Sequence, residues 1–156
     1  MEIKIIAEAY RLALSLGFCR VEDVIKWVDN QIEKMEKPPY EIIDISLPTH
    51  DKPVDVCLKL LLVKGDIDEE LSIKITLGLL QRYLNETEDY KNVSIWLYEL
   101  YVHIPKNCDL LVEEIVYITS AVEFAEEHDP GRLSEAVNEL KIFLSQFQKF
   151  TNFIPS

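Results

Sequence analysis

The sequence predicts an all-α protein, and three observations support this fold class. Apolar residues recur at spacings of three and four along most of the chain, as on the buried side of an amphipathic helix. The 156 residues include only 4 glycines, too few for the turns of a many-stranded β protein. The 7 prolines lie mostly in short clusters between apolar segments, where they end helices.

The length and composition predict a single domain over residues 1–156. The chain is 48% hydrophobic and 28% charged, which provides enough apolar surface to offset the entropy lost on folding. A chain of this length buries most of its surface around one core. No linker and no low-complexity tract divides it.

Three helices are predicted before residue 50. The first ends near Gly17, which stands where a left-handed C-terminal cap is expected. The second begins with Glu22 and Asp23, whose carboxylates suit a first turn, and ends before Pro38. Residues 40–47 predict a brief helix between two prolines. The apolar positions of the first two helices are Ile3, Ile6, Tyr10, Ala13 and Leu14, then Val21, Val24, Val28, Ile32 and Met35.

Two helices are predicted in the middle of the chain. Asp51 can cap a helix that carries Pro53 in its first turn and runs to Gly65. Its apolar positions are Val54, Cys57, Leu58 and Leu61. Asp66 and Glu69 form a capping-box pattern before the next helix, over residues 71–84. Apolar residues surround that helix, so we expect it to be central. Local alternation keeps a β-strand over residues 72–79 open as an alternative.

Three further stripes predict the remaining helices, giving seven or eight in total. The stripes are Val93, Trp96, Leu97, Leu100 and Ile104; Leu111, Ile115, Ile118, Val122 and Ala125; and Leu133, Val137, Leu140, Leu144 and Phe147. Short connections are typical of antiparallel neighbours in a bundle. We therefore predict a compact irregular bundle, ahead of a short solenoid-like array.

The charge balance restricts the classes of partner. The chain has 28 acidic and 16 basic residues, a formal charge of −12. This charge repels nucleic acid backbones and anionic membranes, and it accelerates encounter with a basic protein. Charged residues interrupt the apolar N-terminus, which is therefore neither a signal peptide nor a membrane span. A cytoplasmic location is expected, with Cys19, Cys57 and Cys108 as reduced, partly buried thiols.

The search for catalytic and metal-binding patterns finds weak candidates. No glycine-rich phosphate loop and no serine nucleophile motif is present. His103 and Cys108 are a possible catalytic pair, and residues 126–129 and His50, Asp51 and Asp55 are possible metal clusters. Glu113 and Glu114 point about 100° apart on a helix, so they cannot share one proton or one metal ion. We expect no enzyme active site and no cofactor, with a small metal-dependent hydrolase as a distant alternative.

The acidic stretch from Cys108 to Pro130 is the strongest functional feature, because it contains no Lys or Arg. Like charges three or four residues apart repel on a helix, so such a set is worth retaining for a basic partner. A merely solvated acidic surface is the other interpretation. The predicted partner-binding carboxylates are Glu113, Glu114, Glu123, Glu126, Glu127 and Asp129.

Aromatic residues are a second indication of protein binding. Tyr and Trp are common anchors of interfaces. We expect most of Trp27, Tyr40, Tyr90, Trp96, Tyr98, Tyr101 and Tyr117 to be core residues. Tyr98 lies off the apolar stripe of its helix and Tyr90 precedes that stripe, so these two are the predicted exposed contacts.

The stretch from Trp27 to Leu47 carries a family resemblance. It contains Trp27, Val28, Asp29, Gln31 and Ile32, then Pro38, Pro39 and Tyr40, then Ile43, Asp44, Ile45, Ser46 and Leu47. This pattern resembles the small acidic helical immunity proteins of bacterial polymorphic or contact-dependent toxin systems. The resemblance covers about a quarter of the chain and carries over no catalytic residue.

The resemblance implies a stoichiometric inhibitor that binds a toxin domain and blocks its active or target-binding surface. The acidic surface would then dock on a basic toxin such as a nuclease. The alternative is a helical adaptor or regulatory module that binds another protein without inhibiting it. The partner's identity and the oligomeric state are left open by the sequence.

Overall fold

The computed structural model describes residues 3–47 and 52–155, and these ranges contain eight α-helices and no β-strand. The helices are α1 (Ile3–Leu16), α2 (Val21–Lys34), α3 (Tyr40–Ser46), α4 (Pro53–Leu61), α5 (Glu69–Thr87), α6 (Tyr90–Leu100), α7 (Asp109–His128) and α8 (Leu133–Ser145). Short 3₁₀ turns lie at Tyr101–His103, Pro130–Arg132 and Gln148–Thr151. The all-α fold class and the number of helices are confirmed.

Helices α1 and α5 form the centre of the molecule. Each buries nine residues, and the two helices pack directly against each other. Ser72 Oγ donates to the Ile5 carbonyl at 3.0 Å, and Thr76 Oγ1 donates to the Ser72 carbonyl at 2.7 Å, so their buried hydroxyls are satisfied. The central position predicted for α5 is confirmed, and the alternative of a strand over residues 72–79 is wrong.

Gly78 shows how closely the elements meet at this centre. A Cβ atom at this position would lie 2.5 Å from Thr151 Cγ2 and 2.7 Å from the Phe147 carbonyl oxygen. These distances are far below van der Waals contact, so only glycine lets α5 approach the last 3₁₀ turn.

Two hydrophobic clusters lie on opposite sides of the central helices. One joins α5 to α6, α7 and α8, with Leu12 and Ala13 contributed by α1. The other joins α1 to α2, α3 and α4, with Ile75 contributed by α5. Because the outer helices pack around two shared central helices, the arrangement is a compact irregular bundle. The α3–α4 pair and the α7–α8 pair therefore lie on different flanks.

The helix ends follow the sequence signals with one correction. Gly17 has φ +111°, as the predicted C-terminal cap requires. The predicted capping box of Asp66 and Glu69 is wrong, because α5 begins at Glu69 itself. Asp68 immediately precedes it, and its carboxylate accepts from the Leu71 amide at 3.0 Å. The predicted cap Asp51 lies outside the described residues.

Within the described ranges, no helix is both long enough and apolar enough to cross a lipid bilayer.

Candidate protein-binding surface

Helices α7 and α8 carry most of the negative charge of the molecule. Residues 109–145, which we call the acidic hairpin, contain nine acidic and two basic residues, a net charge of −7 out of −12. The acidic stretch recognised from the sequence therefore continues onto α8, through Glu135 and Glu139. The two helices pack against each other and are joined by a 3₁₀ turn.

The outward side of α7 combines acidic and apolar residues. Leu110, Tyr117 and Phe124 are 76%, 65% and 58% exposed. They recur every seven residues, close to two helical turns, so they lie along one line of the helix. Glu113 and Glu127 lie on the same side and are exposed. This mixture of large apolar side chains and carboxylates is typical of a surface that binds another protein.

Four of the predicted partner-binding carboxylates are exposed on the surface of α7. Glu113, Glu114 and Glu123 are exposed and make no ion pair within residues 3–47 and 52–155. Glu127 is also exposed, and its only ion-pair contact in that part of the chain is the neighbouring His128, at 3.6 Å. These side chains are available to a basic partner.

Glu126 differs from these four because α6 neutralises it. Lys91 Nζ lies 2.6 Å from one carboxylate oxygen, and Tyr90 Oη donates to the other at 2.9 Å. These hydrogen bonds, the Lys91 bond first, lower the pKa of the Glu126 carboxyl below its ordinary value. The predicted contact residues Tyr90 and Glu126 therefore bind each other, and the bond joins α6 to α7.

The remaining two predicted residues lie at the margins of the hairpin. Asp129 follows the end of α7 and forms an ion pair with Arg132, at 3.4 Å. Tyr98 is half exposed on α6, where its ring centroid is 5.4 Å from that of Tyr101. The structure does not place Tyr98 among the residues that line the groove described next.

A shallow groove of about 160 Å³ runs between α7 and α8. We call it the α7–α8 groove. Tyr117 and Phe124 border it on α7, and the carboxylates of Glu135 and Glu139 border it on α8. Its deeper lining consists of Ala121, Ala125 and Ala136. Arg132 lines the end nearest the start of α8, where Asp129 neutralises it.

A second exposed apolar surface lies on α4. Val54, Leu58, Leu61 and Leu62 are between 52% and 68% exposed, and we call them the α4 face. The buried positions of this helix are Val56 and Leu60. The predicted helix is confirmed, but most of the apolar residues that identified it point outward.

The candidate catalytic cysteine lies in an ordinary environment. Cys108 Sγ lies 3.8 Å from Asn107 Oδ1, and no hydrogen bond to His103 occurs within the described ranges. Burial raises the pKa of the Cys108 thiol, and it raises the pKa of Cys19 to about 12. A raised pKa keeps a thiol protonated and poorly nucleophilic. All three cysteines are free and half-buried, as expected.

The candidate metal clusters are not assembled in the described part of the chain. No group of three or more His, Cys, Asp or Glu side chains in residues 3–47 and 52–155 is arranged to hold a metal ion. In the cluster at the end of α7, Glu126 instead binds Lys91, and Asp129 binds Arg132. His50 and Asp51 lie outside the described residues, and Asp55 accepts from the Lys52 amide at 3.0 Å.

The expectation that most of the Tyr and Trp residues are core residues is wrong. Of the seven considered, only Trp27 is buried, and its ring stacks on Tyr10 with centroids 5.1 Å apart. Tyr40, Tyr98, Tyr101 and Tyr117 are exposed, whereas Tyr90 and Trp96 are half-buried. Tyr90 and Trp96 pack against the edge of the core, and the four exposed rings lie outside it.

Sequence reasoning missed the apolar half of the hairpin surface. Leu110, Phe124, Glu135 and Glu139 were not singled out, and Tyr117 was named only among aromatic residues expected to lie mostly in the core. The seven-residue spacing of Leu110, Tyr117 and Phe124 was visible, and these residues fall outside the buried stripe of α7. The groove itself depends on the packing of α8 against α7, which periodicity within one helix cannot show.

No protein-family model matches the sequence, and comparisons with curated proteins and with solved structures find no match.

Proposed function

We propose that this chain is an immunity-type protein that neutralises a basic bacterial toxin domain in the cytoplasm by stoichiometric binding. The observation that carries the proposal is the outward side of the acidic hairpin, where Leu110, Tyr117 and Phe124 stand among exposed carboxylates. The resemblance of residues 27–47 to immunity proteins supports the same class. In the structure that stretch contains the second half of α2 and the whole of α3.

The two kinds of side chain supply different parts of such binding. A large apolar side chain contributes about 1.5–3 kcal/mol when a partner removes it fully from water. Carboxylates contribute mainly to orientation and to the rate of encounter with a basic surface. Because few acids of the hairpin are neutralised internally, a basic partner has little competition for them.

Titration with a toxin domain encoded by a neighbouring gene tests the proposal. We expect one-to-one binding by calorimetry, inhibition of the toxin and survival of cells that express both proteins. Tyr117→Ala with Phe124→Ala should weaken binding by about a hundredfold or more, because aromatic anchors dominate interfaces. Added salt should slow association.

The matched control removes two equally exposed apolar side chains from the other flank. Leu58→Ala with Leu62→Ala should leave affinity and protection unchanged. The proposal fails if the neighbouring toxin domain is neither bound nor inhibited. It also fails if the α4 variant loses protection while the α7 variant keeps it.

A helical adaptor is the second candidate, and the α4 face is the observation that favours it. An adaptor holds two partners at once and needs two separate surfaces. The α4 face and the acidic hairpin lie on different flanks of the central helices. Binding of the toxin domain without loss of toxin activity would favour the adaptor over the inhibitor.

A further inference from the structure

We propose that the α7–α8 groove binds the side chain of an arginine carried by the partner. The inference rests on the proposed function, since it places that arginine on the basic protein that the hairpin meets. It assigns a role to Glu135 and Glu139, and it specifies which cationic side chain is recognised.

The size of the groove fits one side chain. Its volume of about 160 Å³ is well below the roughly 300–1,000 Å³ of pockets that hold drug-sized ligands. Ala121, Ala125 and Ala136 have short side chains and form the floor of this shallow groove, which leaves room for an inserted group between the rings and the carboxylates. Tyr117 and Phe124 remain largely exposed beside this opening.

The charge of the groove requires a cation. Glu135 and Glu139 are one helical turn apart and repel each other. Neither carboxylate makes an ion pair within residues 3–47 and 52–155. Arg132 lies at one end of the groove, and the ion pair it makes there is with Asp129. A positive group between the two glutamates would relieve the repulsion.

The combination of rings and carboxylates selects guanidinium over ammonium. A guanidinium is planar, donates hydrogen bonds in a fork that matches carboxylates, and stacks on aromatic faces. An ammonium is a compact, strongly hydrated charge that makes neither contact as well. Tyr117 and Phe124 provide the aromatic faces, and Glu135 and Glu139 provide the acceptors.

Nuclear magnetic resonance tests the groove with N-acetyl-L-argininamide added to the intact protein. We expect the methyl signals of Ala121, Ala125 and Ala136 to shift with a dissociation constant on the order of 1 mM. N-acetyl-L-lysinamide should bind about threefold more weakly or worse. The uncharged citrulline analogue, which has nearly the same shape, should not shift these signals.

Two charge-matched variants decide whether the groove carboxylates are responsible. Glu135→Gln with Glu139→Gln should weaken argininamide binding by about tenfold. Asp29→Asn with Glu33→Gln removes the same charge, also one turn apart, from the exposed side of α2 and should have no effect. The inference is overturned if the methyl signals do not move, if citrulline moves them equally, or if both variants behave alike.

The two proposals fail separately. If argininamide binds in the groove but the neighbouring toxin domain is not bound, the proposed function is wrong and the recognition of arginine stands. If the toxin is bound through Phe124 but argininamide leaves the groove unchanged, the proposed function stands and the arginine assignment is wrong.

Discussion

The α4 face and the acidic hairpin both expose large apolar side chains, but they differ in charge. Helix α4 contains one acid and one base, Asp55 and Lys59, so its apolar surface is electrically balanced. The hairpin surrounds Leu110, Tyr117 and Phe124 with carboxylates. Exposed apolar area alone shows that a partner could be accommodated. The added charge means that a partner of the hairpin, as proposed above, would be basic.

In both helices the residues that support the fold are distinct from the exposed residues available for binding. In α4 the buried side consists of Val56 and Leu60, and removal of the outward leucines leaves that side complete. In α7 the buried residues are Ile115, Ile118, Thr119, Val122 and Ala125. The outward side chains of both helices should therefore be removable without loss of the fold.

The largest expected effect is on the free energy of unfolding, and it tests whether the outward residues of α4 contribute to folding. Leu60→Ala leaves a cavity at a fully buried position and should lower the free energy of unfolding by about 2–5 kcal/mol. Leu58→Ala, two positions earlier and 58% exposed, should change it by no more than about 0.5 kcal/mol. Urea unfolding with a common slope measures both changes.

Equal losses from the two variants would contradict this assignment. They would mean that the α4 face is covered by other parts of the protein in solution. A loss confined to Leu60→Ala would leave the α4 face available to a partner.

Apolar spacing predicted where the helices lie, but it did not predict which side of every helix is buried. Apolar spacing, capping residues and prolines together predicted all eight helices. Gly17 marked the end of α1 because only a glycine adopts its backbone angle readily. Spacing did not identify the buried side of α4, because Val54, Leu58 and Leu61 are as apolar as Val56 and Leu60. A helix that is apolar on several sides has no preferred orientation until its neighbours are known.

The charged part of the candidate surface could be predicted from the sequence. Glutamates are seldom buried, so the residue type alone predicted the exposed positions of Glu113, Glu114, Glu123 and Glu127. The neutralisation of Glu126 did not, because Lys91 is far from it in sequence and meets it only when α6 packs on α7. The α7–α8 groove required knowledge of tertiary packing in the same way.

A smaller change in the free energy of unfolding tests whether the acidic residues of the hairpin contribute to folding. Glu127 lies in the last turn of α7, where the helix dipole and Glu123 both repel its charge. Glu127→Gln should therefore raise the free energy of unfolding, by about 0.5 kcal/mol. Thermal unfolding at low and high salt measures this, and salt should reduce the gain.

Asp109 provides the control because it occupies the opposite end of the same helix. Its charge in the first turn interacts favourably with the exposed amides, so Asp109→Asn should lower stability by a similar amount. If Glu127→Gln also lowers stability, the acid at position 127 has a structural role and is not kept only for a partner.

The smallest expected effect is a change in the pKa of Glu126, the carboxylate of α7 that α6 neutralises. Lys91→Met removes the ammonium that holds the Glu126 pKa below its ordinary value, so that pKa should rise. Tyr90→Phe removes the second donor and should raise it less. Carbon-detected titration of the carboxyl group measures both pKa values.

In the native protein the lowered pKa of Glu126 stabilises the fold above the ordinary glutamate range, and this contribution is lost as the pH falls through the lowered value. The Lys91 variant should show a weaker dependence of stability on pH on that acid side. An unchanged Glu126 pKa would mean that the carboxylate is free in solution and belongs with its exposed neighbours on α7.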